Sequence, residues 1–272
     1  MAFTINTNIA SMQAQEYLRA TSDFQAKTIN KVTSGLRIVN AGDDAAGLAI
    51  ANFYRSDQAV LAQGVREGRK TFANTLKYVF VTTSANFGNM FSMAGISLFL
   101  PFLPLLPKQI LLTNFLTDFP AMAIATDSVD RELIEQPRRW NIGFIRNFML
   151  IFGLISSLFD YLTFGTLLFV YRAGVDEFRS GWFIESVMTE LLIMLVIRTR
   201  KAFFRSRPGR YLALATLIIA AATLLLPYSP FAALLNLVPL PPSLLALIGG
   251  ITILYILASE LAKRLFYRHI AV

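Results

Sequence analysis

The chain has 272 residues, of which 55% are hydrophobic and 15% charged, with a net charge of +8. Soluble domains run about 45–50% apolar and about 25% charged, so an ordinary soluble domain is excluded for most of this chain. With no cysteine and one histidine, His269 near the end, disulfides, thiolate metal sites and a Ser-His-Asp triad have no basis here.

The composition is uneven. Residues 1–75 read as an ordinary soluble helical segment, and from residue 76 onward charge is confined to short bursts. In the first part, Ile9, Met12, Leu18, Phe24, Ile29 and Val32 follow a helical apolar stripe. Gly35 fits its stop, and Asp43 or Asp44 fits the cap of a second helix from Ala45. A single amphipathic helix is marginal in water, so residues 1–40 are expected to be loosely held. The second helix is expected to run from about residue 44 through a charged stalk into the membrane.

A helix needs about 20 apolar residues to cross the hydrocarbon layer. Six stretches qualify on this reading: residues 76–100, 105–126, 143–171, a short one at 182–197, then 211–228 and 243–266. The expected fold is therefore an all-α membrane protein of about six transmembrane helices, preceded by a helical segment. Pro101, Pro104 and Pro107 close the first hairpin, and Pro239, Pro241 and Pro242 the last, because proline cannot continue a helix.

The basic residues lie in the short loops between apolar runs, which is a topology signal and not a nucleic-acid patch. Arg66, Arg69, Lys70 and Lys77 share one side with Arg131, Arg138 and Arg139. The densest group, Arg198, Arg200, Lys201, Arg205, Arg207 and Arg210, and the tail residues Lys263, Arg264 and Arg268 fall on that side too. The other side holds only Lys108, Arg172 and Arg179. Both termini are expected in the cytoplasm, with the chain multi-pass in the membrane and the lipid bilayer as its partner. No nucleic acid is expected.

Polar groups inside spans are costly and mark ion or proton pathways. Asn86 and Asn89 share a face of the first span, and Asn114, Thr117 and Asp118 share a face of the second. The turn between the two spans is short, so the two faces are neighbours. Amide, hydroxyl and carboxylate oxygens of this kind suit hard cations such as Mg²⁺ and Ca²⁺; the same groups also suit hydrogen bonds between helices. Pro120 is expected to disturb the second span and free backbone carbonyls. Glu185 and Glu190 are near-equal candidates to complete a site, and Asp160 and Glu260 are further intramembrane acids.

The stretch Gly64-Val-Arg-Glu-Gly-Arg-Lys-Thr-Phe-Ala-Asn-Thr-Leu-Lys77 resembles the stalk leading into the fifth membrane helix of P-type cation-transporting ATPases. Thr83-Ser-Ala-Asn-Phe-Gly-Asn-Met90 resembles that helix's ion-site segment. Leu112-Thr-Asn-Phe-Leu-Thr-Asp118 and Ala125-Thr-Asp-Ser-Val-Asp130 resemble the sixth helix and its exit. The resemblance covers about residues 64–272. It implies Asn86, Asn89, Asn114, Thr117 and Asp118 as cation ligands, with Glu185 on the eighth helix as a sixth, and a divalent cation, Mg or Ca, as the transported ion. Asn89 is closer to the magnesium-transporting subgroup, and Thr117 to calcium or proton pumps. The family's phosphorylated Asp-Lys-Thr-Gly motif, its Thr-Gly-Glu loop and its Pro-Glu-Gly helix do not occur in this sequence. No ATP site and no ATPase activity are therefore expected from this chain alone, and pump domains supplied by another chain are a possible partner.

Residues 1–63 resemble the N-terminal region of bacterial flagellin. The resemblance rests on Met1-Ala-Phe-Thr-Ile-Asn-Thr-Asn8, Val32-Thr-Ser-Gly-Leu-Arg-Ile38 and Gly42-Asp-Asp-Ala-Ala-Gly-Leu-Ala-Ile-Ala-Asn52. The domains expected are thus a flagellin-like segment over 1–63 and a six-helix pump region over 64–272, with a seam near 59–65. The reading is a cation-binding and translocation module of a P-type pump, truncated and lacking the phosphorylation and nucleotide domains. Two alternatives stand beside it: a flagellin-like structural protein of the filament, and a non-functional gene fusion.

Overall fold

The computed structural model describes residues 9–35, 39, 44–137 and 139–269. The opening motif over residues 1–8, the Gly42-Asp43 pair and Arg138 lie outside the described residues. Among the described residues the structure is helical, with no strand. The chain divides into two compact units, Met1–Val65 and Arg66–Val272.

In the first unit, α1 (Ile9–Ser34) ends on Gly35. That residue has φ of +66° and donates its amide to the Val32 carbonyl. A left-handed glycine just past the last turn is the usual helix stop because it carries no Cβ penalty. From Met12 onward the large apolar residues of α1 are exposed: Leu18 is 70% and Phe24 71% exposed. Asp44 caps the next helix, α2 (Ala45–Ser97), by accepting the Gly47 amide at 2.9 Å.

The second unit holds the later part of α2, then α3 (Pro107–Ala123), the short α4 (Arg131–Glu135), α5 (Ile142–Gly165), α6 (Val175–Ile197), α7 (Arg210–Leu225), the short α8 (Ala232–Leu235) and α9 (Pro242–His269). Four helices are long and apolar enough to cross a membrane: Ile142–Val170, Val175–Ile197, Arg210–Tyr228 and Pro242–His269. They make this an all-α membrane protein. The fourth expected span begins about two turns earlier than the expected 182, because Asp176 and Glu177 form the first turn of α6. Carboxylates are favoured at that end of a helix.

The first two expected spans fall on α2 and α3, which are not among these four. Thr82, Thr83, Ser84, Asn86, Asn89 and Ser92 interrupt the apolar run of α2, and α3 is only 17 residues long. Pro107 starts α3, where its missing amide costs nothing. Pro120 sits inside it without ending it, and the helix tightens to a 3₁₀ turn at Ile124–Thr126.

The central helix is α6, the most buried of the four spans. It packs against α3, α5, α7 and α9. Two apolar clusters flank it. One gathers Phe164, Phe178, Trp182, Phe183 and Leu244; the other gathers Val81, Phe148, Phe152, Met194 and Phe266. Along α5 the change from one cluster to the other falls near Asp160, and along α6 near Glu190. A polar layer therefore crosses the bundle between two apolar ones.

The α2–α5 contact is close because both helices present glycine. A Cβ on Gly153 would lie 2.5 Å from the Phe87 ring and 3.2 Å from the Ser84 carbonyl, and one on Gly88 would meet Ser156 at 3.0 Å. Ser157 seals the crossing by donating to the Gly88 carbonyl at 3.0 Å. Small residues at a helix interface permit such backbone approach. This crossing holds α2 at Gly88, the residue next to Asn89.

Candidate cation site

A cavity of about 140 Å³ lies between α2, α3 and α6. Thr82, Asn86, Asn114, Thr117, Asp118 and Glu190 supply its polar lining, and Val81, Ala121 and Met194 its apolar wall. Helical spacing brings Asn114, Thr117 and Asp118 to one face of α3. The Thr117 hydroxyl is committed to its own helix, donating to the Thr113 carbonyl at 3.1 Å. Its oxygen retains acceptor capacity for a cation. The volume corresponds to about five waters at about 30 Å³ each, enough for a small cation that keeps part of its shell.

Asn89 does not line this cavity. It sits one turn along α2, in a much tighter space with Glu190, Ser186 and Tyr255. Its amide donates to Glu190 Oε2 at 3.4 Å, and its carbonyl accepts from Ser186 at 3.3 Å. Asn89 therefore orients Glu190, which the cavity shares. Glu185 stands apart, buried at 1% exposure beside Asp160, with Oε2 unpartnered among the described residues. Asp160 is held by Ser92 at 2.5 Å and by the Trp182 indole at 3.1 Å. Of the near-equal pair, Glu190 is the one that meets Asp118 at the cavity. Thr117 is buried and Glu190 half-buried, while Asn86, Asn114 and Asp118 are exposed. Among the described residues no three of His, Cys, Asp and Glu gather as a metal cluster; the cavity's donors are two carboxylates with amide and hydroxyl oxygens.

A second polar centre lies where α3 exits. Asp127 accepts from Lys77 at 2.7 Å, from the Gly209 amide at 2.7 Å and from Arg198 at 3.3 Å. Arg198 also donates to the Ser206 carbonyl. Asn74 donates to the Ala125 and Asp127 carbonyls at 3.1 Å, and Thr199 and Ser206 donate to Asp130. Lys77 is 4% and Arg198 2% exposed. By sequence position both fall among the loop cations that set topology; they are interior ion-pair partners as well. Asp127 and Asp130 belong to the Ala125-to-Asp130 motif, which was the one available signal for this centre.

Comparison with known proteins separates the two parts of the chain. The family described as "Cation transporting ATPase, C-terminus" matches residues 102–265, and "Bacterial flagellin N-terminal helical region" matches residues 5–74. A "Magnesium-transporting ATPase, P-type 1" of Salmonella typhimurium is 40% identical over 248 residues, 89% of this chain and 28% of that protein. Its Escherichia coli K12 counterpart is 40% identical over 252 residues, with the same shares. The "Polar flagellin F" of Vibrio parahaemolyticus is 42% identical over 66 residues, 24% of this chain and 18% of that protein. A match to 89% of the chain necessarily shares residues with one over 5–74, so both families read the text around the stalk. The chain spans 28% of the length of the magnesium-transporting relatives. Through its membrane region this chain belongs to the cation-transporting ATPase family, matching the C-terminal part of the pumps.

Proposed function

We propose that residues 64–272 are the membrane-embedded cation-binding module of a P-type pump, that the cavity between α2, α3 and α6 takes a divalent cation, and that the ion is Mg²⁺ or Ca²⁺. The observation that carries this reading is the convergence of Asp118 and Glu190, from two helices, on one small cavity with Asn86, Asn114 and Thr117. Hard cations take oxygen ligands of these types, and Mg²⁺ in particular binds through one or two carboxylates while keeping waters. The relatives' magnesium-transporting names favour Mg²⁺. On this reading α2 and α3 are the first two of six spans, their polar content being the site itself. Both termini lie in the cytoplasm, following the excess of Lys and Arg on one side. Residues 1–63 form a separate flagellin-like segment with no part in the site.

Asn86, Asn114 and Asp118 open to the outside of the α2–α3 pair. A carboxylate left facing lipid is costly, so a further element covers this face when the module works. Machinery for ATP hydrolysis, for which residues 64–272 hold no Asp-Lys-Thr-Gly motif, comes with that element from elsewhere. Equilibrium titration of the detergent-solubilised chain with MgCl₂ tests the site. Saturable binding that is lost in Asp118→Asn supports it; binding unchanged by that substitution, or no binding at all, refutes it.

A further inference from the structure

Asp160 is buried in α5 and does not line the cation cavity. Both of its carboxyl oxygens are nevertheless taken. Oδ2 accepts from the Ser92 hydroxyl of α2 at 2.5 Å, and Oδ1 accepts from the Trp182 indole of α6 at 3.1 Å. Ser92 and Trp182 are buried as well. A buried polar group is costly unless it is hydrogen-bonded, so the three side chains hold one another in place. Asp160 therefore bridges α2 and α6 from a third helix.

The second observation is register. On α6, Trp182, Ser186 and Glu190 stand four apart on a single face, and on α2, Asn89 and Ser92 stand three apart on another. Asn89 accepts from Ser186 at 3.3 Å and donates to Glu190 at 3.4 Å. The Asp160 bridge is the next rung of that ladder. On its α5 side, α2 is pinned beside this rung: Ser157 donates to the Gly88 carbonyl at 3.0 Å and Tyr161 to the Phe91 carbonyl at 3.2 Å. We propose that Asp160 is a positioning residue: through Ser92 and Trp182 it fixes the register of α2 on α6, and so where Asn86 and Asn89 stand relative to Glu190. Its effect on cation affinity rests on the cation-site reading above; its effect on register does not. Asp160 acts here by accepting hydrogen bonds. An amide at this position keeps an acceptor for the indole and offers a donor to the Ser92 oxygen, so Asp160→Asn preserves the bridge and Asp160→Ala removes it.

The test uses the full chain in neutral detergent and two readouts. In the first, Asn89→Cys and Ser186→Cys replace the neighbouring rung, leaving the register to Asp160. Dibromobimane, which fluoresces once both its arms have reacted with thiols, reports whether the two positions still face each other. The chain has no other cysteine. Bridging is expected with Asp160 in place and in Asp160→Asn, and its loss is expected in Asp160→Ala and in Ser92→Ala. Ser92→Ala leaves Asp160 and its neighbour Glu185 intact, so it decides the matter if Asp160→Ala does not fold. Thr163→Ala, also buried on α5 but with a hydroxyl that bonds nothing among the described residues, controls for general loosening and is expected to keep the bridge. The second readout is Mg²⁺ affinity in the same variants with Asn89 and Ser186 restored. Residues that orient metal ligands are worth about 10- to 100-fold in affinity, and a loss of that order is expected in Asp160→Ala and Ser92→Ala but not in Asp160→Asn or Thr163→Ala. Bridging that survives in Asp160→Ala and Ser92→Ala, or that is lost in Asp160→Asn or Thr163→Ala, would overturn the proposal, as would no bridging with Asp160 in place. Unchanged affinity in Asp160→Ala and Ser92→Ala, in a chain whose wild type binds Mg²⁺, would also overturn it. A wild type that binds no Mg²⁺ refutes the cation site instead, and the bridging pattern alone then decides the role of Asp160.

Discussion

The Asn89 amide reaches across from α2 to Glu190 of α6 at 3.4 Å, tying the helix that carries Asn86 to the carboxylate that faces Asp118. The pairing makes Asn89 a positioning residue and Glu190 a ligand candidate. Asn89→Ala is expected to weaken Mg²⁺ binding less than Glu190→Gln does, because it leaves every oxygen of the cavity in place. Titration of the two variants side by side checks this; equal or greater loss in Asn89→Ala would make Asn89 the ligand instead.

Asp127 holds two cations in the interior. Removing one partner of a buried charge group costs about 3–5 kcal/mol, since it leaves charge uncompensated. Asp127→Asn is expected to destabilise by that order, and adding Lys77→Met is expected to restore part of the loss. Denaturant unfolding in detergent of both variants decides it, and a double variant no better than the single one would contradict the account.

The α2–α5 crossing has no room for a side chain at Gly153. Overpacking a tight contact costs about 1–3 kcal/mol. Gly153→Ala is expected to lower the melting temperature and, by shifting α2, to weaken Mg²⁺ binding as well. Gly249→Ala serves as the control, because a Cβ there meets nothing within 4 Å.

Surface substitutions away from special features stay within about ±0.5 kcal/mol. Leu18 and Phe24 of α1 are exposed, so Leu18→Ser and Phe24→Ser are expected to leave the unfolding of the membrane unit unchanged. A large loss in either would show that α1 packs on something.

The chain has no cysteine, so a single introduced thiol reports sidedness without background. Phe99, 82% exposed, lies in the loop before α3, and Arg207 in the basic loop before α7. An impermeant maleimide on spheroplasts is expected to label Phe99→Cys directly and Arg207→Cys only after permeabilisation. The reverse pattern would invert the topology.

Much of this arrangement is legible in the sequence for identifiable reasons. Long apolar runs mark α5, α6, α7 and α9, and Gly35 and Asp44 mark helix ends by local chemistry that needs no partner. The face formed by Asn114, Thr117 and Asp118 follows from helical spacing alone. The choice between Glu185 and Glu190 does not, because five residues along α6 turn the two side chains to different neighbours and only packing says which neighbour is α3. The Asp127 centre is harder still. Its partners Lys77 and Arg198 lie 50 and 71 residues away, and in the sequence both look like ordinary loop cations. The α2–α5 crossing rests on two isolated glycines whose pairing only the folded bundle makes visible.

The central claim is that Asp118 and Glu190 face one cation in the α2–α3–α6 cavity. The most direct measurement is the melting temperature of the purified chain against MgCl₂ concentration, for the wild type and for Asp118→Asn, Glu190→Gln and Glu185→Gln. A ligand bound only by the folded state stabilises it by about 2.7 kcal/mol at a hundred times its Kd, which is a readily measured rise. The account predicts that rise in the wild type and in Glu185→Gln, with its loss in Asp118→Asn and Glu190→Gln. A rise that survives in Asp118→Asn and Glu190→Gln, or that disappears only in Glu185→Gln, would contradict it.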